Sequence, residues 1–132
     1  MTHAFDIIPH PPNRIPTASA RQIPITVSYS RHWTPHLLQL VQRLRRQNFS
    51  LPIVLFTYAN PLLQLAEQGP LGDALQGVDG ILVTDLPPEE AGEHIQRCRD
   101  AGIDTIFLAA PTTTATRLPR IAAATTGFVY YV

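Results

Sequence analysis

The sequence predicts an α/β chain, with successive strand–helix units on a parallel sheet and an irregular proline-rich segment ahead of them. Three observations predict it. Short continuous apolar runs recur at Leu51–Tyr58, Gly80–Thr84, Asp104–Ala109 and Phe128–Val132. Unbroken runs, unlike alternating ones, suit strands buried on both faces. Stretches with helical spacing of apolar residues separate them, which is the pattern of repeated βα units. Of the 13 prolines, Pro9, Pro11, Pro12, Pro16, Pro24 and Pro35 crowd into the start of the chain, where they interrupt helices and sheet ladders alike.

Composition narrows the class further. At 132 residues the chain has room for one domain, and 45% hydrophobic residues supply a core. Ten basic and ten acidic residues cancel, so no general field draws it to nucleic acid or anionic lipid. A single cysteine, Cys98, excludes an intrachain disulfide and a CxxC metal site, and fits a reducing cytoplasm. No apolar run approaches the roughly 18 residues of a membrane span. The start, MTHAFDII, lacks the basic and apolar regions of a secretory signal. The expectation is a soluble cytoplasmic protein with no membrane or nucleic-acid partner.

Each element has its own signal. Residues 1–33 read as extended or loosely ordered; Ile23–Ser30 alternates enough for one short strand but has no obvious partner nearby. From Thr34 the texture changes. Thr34 can cap a helix, Pro35 suits its first position, and Leu37, Leu38, Val41 and Leu44 make its apolar stripe. Arg43, Arg45 and Arg46 close it, read as a solvated helix end too small for a nucleic-acid footprint. The strand Leu51–Tyr58 follows, then the strand Gly80–Thr84. Pro87, Pro88, Glu89 and Glu90 look like a helix start, Ala91, Ile95 and Cys98 keep helical spacing, and Gly102 stops it. After the strand Asp104–Ala109, a helix passes through Leu118, Ile121 and Ala122, starting late or bending at Pro119. Four strands do not make a closed eight-stranded barrel, which needs about 250 residues. Two readings stand: a small open α/β domain, or part of something larger, which the sequence favours.

The segment Pro52–Pro61, with TYANP, resembles the third strand of the tryptophan synthase α subunit. Gly77–Glu90, with TDLPPEE, is similar to the fourth strand and its loop, Ala101–Thr112 to the fifth, and Gly127–Val132 to the sixth. Four segments in order and in register across residues 34–132 make the resemblance specific. It implies a partial TIM (β/α)8 barrel over 34–132, with 1–33 set apart from it. It also implies a lyase that cleaves indole-3-glycerol phosphate to indole and glyceraldehyde 3-phosphate and passes indole to a β subunit. The α subunit uses no cofactor; pyridoxal phosphate belongs to the β subunit.

By the same resemblance Phe56, Tyr58, Leu82, Thr84, Leu108 and Tyr130 line the substrate pocket. Asn60 and Asp85 sit at the subunit interface, at positions that in the family help transmit signals to the β subunit. Plainer readings stand beside these. Aromatic and aliphatic residues at alternate strand positions fill a barrel in any case, and Asp85 can cap the start of the Pro87 helix. Glu89 and Glu90 read as dipole partners in a first helical turn, and Cys98 as core. His3, His10, His32, His36 and His94 show no ligand spacing, so no metal is expected.

The chemistry needs more than a pocket. A retro-aldol cleavage requires an acid to protonate the ring carbon and a base to take the hydroxyl proton. In the family a glutamate at the end of the second strand and an aspartate in the next loop serve. Before Glu67 the only carboxylate side chain here is Asp6. Phe5–Ile8 faintly resembles the second strand, but Pro9, His10, Pro11 and Pro12 stand where the glutamate and its loop would fall, and the family's phosphate-binding loops are absent. No residue qualifies as catalytic. The expectation is a truncated, inactive member, with a shifted reading frame over 9–33 as one origin. The alternative is a non-catalytic fragment that keeps only β-subunit binding, or has no independent function.

Overall fold

The computed structural model describes residues 26–29 and 35–132. Five strands form one continuous parallel array in sequence order: β1 (Thr26–Tyr29), β2 (Ile53–Thr57), β3 (Gly80–Val83), β4 (Asp104–Ala109) and β5 (Val129–Tyr131). The four apolar runs all become strands; Asp104–Ala109 keeps its bounds, and the other three are shorter than their runs. Between them lie α1 (Pro35–Arg46), α2 (Ala59–Glu67), the short α3 (Leu71–Ala74), α4 (Gly92–Ala101) and α5 (Leu118–Ala124).

Several elements differ from the sequence expectation, each for a physical reason. A strand does form within Ile23–Ser30, and it has a partner: β1 pairs with β2 in parallel, Thr26 opposite Ile53 through Tyr29 opposite Phe56. The sheet therefore has five strands rather than four. A parallel partner lies a whole crossover away, so no local pattern could name it. Phe5–Ile8, Thr34 and the remaining residues of 1–33 lie outside the described residues. Helix α2 is an addition, because TYANP reads as the end of a strand, yet Ala59 already opens a helix and Pro61 falls in its tolerant first turn. The Pro-Pro-Glu-Glu start is a separate 3-10 turn, Pro88–Glu90, and α4 begins only at Gly92. Gly102 ends α4 at φ 66°, the left-handed cap for which glycine is suited.

Strand alternation distributes the core over two faces. Ile53, Leu55, Ile81 and Val83 face outward and pack with Val41, Leu62, Leu71, Leu75 and Cys98 of the helical layer. Val54, Leu82, Ile106 and Phe128 form a second cluster on the inner face. Phe107, Ala109 and Val129 meet Ala91 and Ile121 beneath α4 and α5.

The strand starts are held by Arg45, for which the sequence suggests a solvated helix end. Of the three arginines that end α1, Arg43 and Arg46 are exposed and Arg45 is half-buried. The Arg45 guanidinium donates to the carbonyls of Gly77 (2.9 and 2.8 Å), Phe49 (2.6 Å) and Leu51 (2.9 Å), and to the Asp79 carboxylate. Asp79 also accepts the Ile53 N–H at 2.9 Å. One cation thus joins the end of α1 to the starts of β2 and β3. Gly77, at φ +88°, leaves room for it: a Cβ there would meet Arg45 Cγ at 2.9 Å.

Replacing Arg45 by leucine leaves a half-buried carboxylate and three carbonyls without their donor, so Arg45→Leu should lower unfolding stability by about 3 kcal/mol. Gly77→Ala should be destabilising as well, through strain and crowding together. Urea unfolding of both variants is the check; midpoints equal to the parent protein's would refute this account of the strand starts.

Candidate functional site

The inner face is where the sequence-predicted pocket residues gather. Phe56, Leu82, Leu108 and Tyr130 belong to one apolar cluster with Val54, Ile106 and Phe128. Phe56 and Tyr130 meet edge to face, with ring centroids 5.7 Å apart and planes at 81°. Their strands are not neighbours. Three parallel-strand spacings on a flat sheet would separate β2 from β5 by about 14 Å. The ring contact therefore requires the sheet to curl, as a barrel wall does.

Tyr58 and Thr84 stand at the strand tips rather than in that cluster. Tyr58 is half-buried at the N-cap of α2. The Thr84 hydroxyl donates to the Thr57 carbonyl at 3.3 Å, beside the Thr84 N–H bond to the same oxygen at 2.9 Å. Asn60 is exposed on the first turn of α2. Asp85 is exposed too, and its Oδ1 accepts the Ala59 N–H at 2.7 Å. The expected cap therefore goes to α2, not to the Pro87 segment, because α2 opens beside the β3 tip while the 3-10 turn leads away from it.

Three wall residues lie beyond the sequence-predicted set: Val54, Ile106 and Phe128. A signal for them exists, because each lies two positions before a predicted pocket residue, and strand side chains repeat with that period. The cluster joins aliphatic and aromatic side chains from β2, β3, β4 and β5.

Polar groups at the tips are engaged with one another. Glu89 pairs with Arg117 at 3.3 Å, tying the loop after β3 to the loop before α5. A backbone N–H of its own turn, then Arg117, hold the Glu89 carboxyl below its usual range. Between these loops is a cavity of about 330 Å³, lined by Thr84, Pro87, Leu108, Thr113 and Arg117 among others. The Thr113 hydroxyl is taken up by the Ala110 N–H at 2.8 Å.

On the outer side, α2 and α4 enclose a smaller cavity of about 210 Å³, walled by Leu62, Leu63, Leu71 and Leu86 and rimmed by Glu90, Glu93, His94 and Arg97. Burial, and secondarily Arg97, lower His94 to a pKa of about 4. Cys98 is fully buried, as core packing predicts, with its Sγ 3.6 Å from His94 Nδ1. Burial and then Asp104 raise its thiol to about 12, so it stays protonated and unreactive at neutral pH. Among the described residues no three His, Cys, Asp or Glu side chains gather as metal ligands, and no helix is long and apolar enough to cross a membrane.

A curled run of parallel β/α units with an apolar inner face defines a segment of a (β/α)8-barrel wall. Comparison with known proteins specifies which. The family model for the tryptophan synthase alpha chain matches residues 17–132, and the chain belongs to that family. The alpha chain of Burkholderia multivorans is 46% identical over 98 residues, 74% of this chain and 36% of that one. That of Chromobacterium violaceum is 46% identical over 99 residues, 74% and 37% of the two chains. The tryptophan synthase complex of Pyrococcus furiosus superposes with TM-score 0.68 at 44% identity, covering 75% of this chain and 42% of that chain. A Legionella pneumophila alpha chain gives 0.68 at 27% identity, covering 82% and 48%. The chain thus spans a little over a third of the length of the curated relatives it matches. The family's alpha chain carries no cofactor of its own; pyridoxal phosphate is held by the β subunit.

His94 supplies a pH test. Its folded pKa lies below the ordinary 6.5, so between pH 6.5 and about 4 the unfolded chain binds the extra proton and acid favours unfolding. Stability is full above 6.5 and should fall by up to about 3 kcal/mol as pH drops to 4. His94→Leu should flatten that part of the profile. Urea midpoints at pH 4.5 and 7 decide it: equal slopes in parent and variant would remove His94 as the cause.

Proposed function

We propose that residues 35–132 form the indole-facing wall of a tryptophan synthase α-type lyase, acting in cytoplasmic tryptophan biosynthesis, and that this 132-residue chain is catalytically silent by itself. The observation that carries the first half is the convergence of Phe56, Leu82, Leu108 and Tyr130 on one curled inner face. An apolar wall with an aromatic edge suits a flat hydrophobic ring such as that of indole-3-glycerol phosphate. Tyr58 and Thr84, at the strand tips, would border it. No metal or cofactor is invoked.

The second half rests on proton chemistry. Retro-aldol cleavage of the substrate needs a proton donor and an acceptor in reach of ring carbon and hydroxyl, each contributing roughly 10²–10⁴ in rate. The apolar side chains of the cluster supply neither, and Asp104, the buried carboxylate two positions before Ile106, lies at the start of β4 and not at the strand tips. Asp85, the acid closest in sequence to a pocket position, spends its carboxylate oxygen on the Ala59 N–H. A carboxylate that fixes a helix start in this way is poorly placed to exchange protons with a substrate.

A second reading is favoured by the exposed positions of Asn60 and Asp85 beside the start of α2: a module that docks on a β subunit without turning over substrate. That the Pyrococcus relative was solved as a tryptophan synthase complex supports a β subunit as the partner.

Both halves meet in one experiment. The purified chain, alone and with a tryptophan synthase β subunit, should release no indole from indole-3-glycerol phosphate above the uncatalysed rate. Colorimetric detection of indole is sufficient, and steady turnover by the chain alone would show that it is not silent.

A further inference from the structure

The loops after β3 and β4 enclose the cavity of about 330 Å³ at the strand tips. Val83 and Ala109, the last residues of those strands, line it and are buried, as is Phe107. Leu86 lines it from the loop after β3, and Thr113 from the loop after β4. Arg117 is the one charged side chain among the described residues that line it. We infer that this cavity is a binding site for a small carboxylate with an apolar body, the charged end pairing with Arg117 and the hydrocarbon part filling the space between the loops. The site is separate from the inner face and does not depend on what that face holds.

Arg117 already displays the chemistry. Its Nε and Nη2 donate side by side to the two Glu89 oxygens, each at 3.3 Å. That fork is how arginine holds a carboxylate, but the bonds are longer than the roughly 2.7–2.9 Å of a well-made charged pair. Both side chains are close to half exposed, at 47% and 38%, and a surface pair of this kind contributes little stability. Glu89 does not line the cavity. A carboxylate entering it therefore replaces like with like: it takes over the fork, and Glu89 returns to water. A second donor stands by. The Thr113 hydroxyl oxygen accepts the Ala110 N–H at 2.8 Å, and its own proton has no acceptor among the described residues.

Size sets the rest of the ligand. Small-molecule sites usually run to about 300–1,000 Å³. This cavity lies at the lower end of that range, which suits a body of one ring or one branched chain.

Phenylacetate is the probe, titrated into the full chain and followed by ligand-observed nuclear magnetic resonance. Arg117→Leu should weaken binding about tenfold, the loss of one forked charged contact. Glu89→Gln removes the internal competitor and should strengthen binding about threefold, a gain that misfolding cannot mimic. Arg120→Leu, at an exposed arginine that does not line the cavity, should bind like the parent. Benzyl alcohol, which has the ring without the charge, should bind about tenfold more weakly than phenylacetate. Excess indole should leave phenylacetate binding unchanged. No binding by the parent overturns the site, as does parental affinity in Arg117→Leu or Glu89→Gln, or benzyl alcohol binding as well as phenylacetate. An equal loss in Arg120→Leu overturns it in favour of diffuse charge attraction. Displacement by indole overturns it by placing the probe on the inner face.

Discussion

Every feature of this chain depends on the sheet being buried from two sides while it curls. A parallel strand leaves alternate side chains on opposite faces, and both sets here are apolar. The outward set is covered by helices, which fixes one radius. The inward set must then close on itself, and the edge-to-face contact of Phe56 with Tyr130 shows how far it closes. Two rings from non-adjacent strands meet only if the β3 and β4 residues beneath them are narrower, as Leu82 and Leu108 are. Curvature and the choice of inner-face residues are one constraint seen at two scales.

The opposite end of the sheet has a different logic. At the strand starts the helical layer is joined to the sheet by polar contacts, with Arg45 drawing together carbonyls from three segments and the Asp79 carboxylate. At the C-terminal tips the ion pair among the described residues is Glu89 with Arg117, which links two loops and not the strands. Stability is concentrated at one end of the wall, and variable polar loops at the other, the usual division in parallel barrels.

How much of this is legible in the sequence follows from what each signal encodes. Gly80–Val83 and Asp104–Ala109 are legible because a run buried on both faces has few other interpretations. Phe56, Leu82, Leu108 and Tyr130 are singled out by resemblance, and their two-residue period points to Val54, Ile106 and Phe128, which share their apolar cluster. Helix α2 is hidden because Tyr58, Ala59 and Asn60 are the last residues of one element's motif and the first of another's. The pairing of β1 is hidden because parallel partners are set by the whole sheet. Arg45 misleads for a related reason: its sequence position describes a helix end, while its role is decided by Gly77 and Asp79, more than thirty residues away.

The loops at the tips bring the two faces of the wall within one residue of each other. Asp85 fixes the first N–H of α2. On one side of that bond, Tyr58 and Thr84 lie at the mouth of the inner wall; on the other, Ala59, Leu62 and Leu63 wall the outer cavity. A shift of the first turn of α2 would break the Asp85 bond that joins it to the tip of β3. Asp85, which the sequence offers as a loop cap, is therefore a brace across the strand tips. It sets the distance between the start of α2 and the tip of β3, and so between the outer cavity and the inner face of the wall.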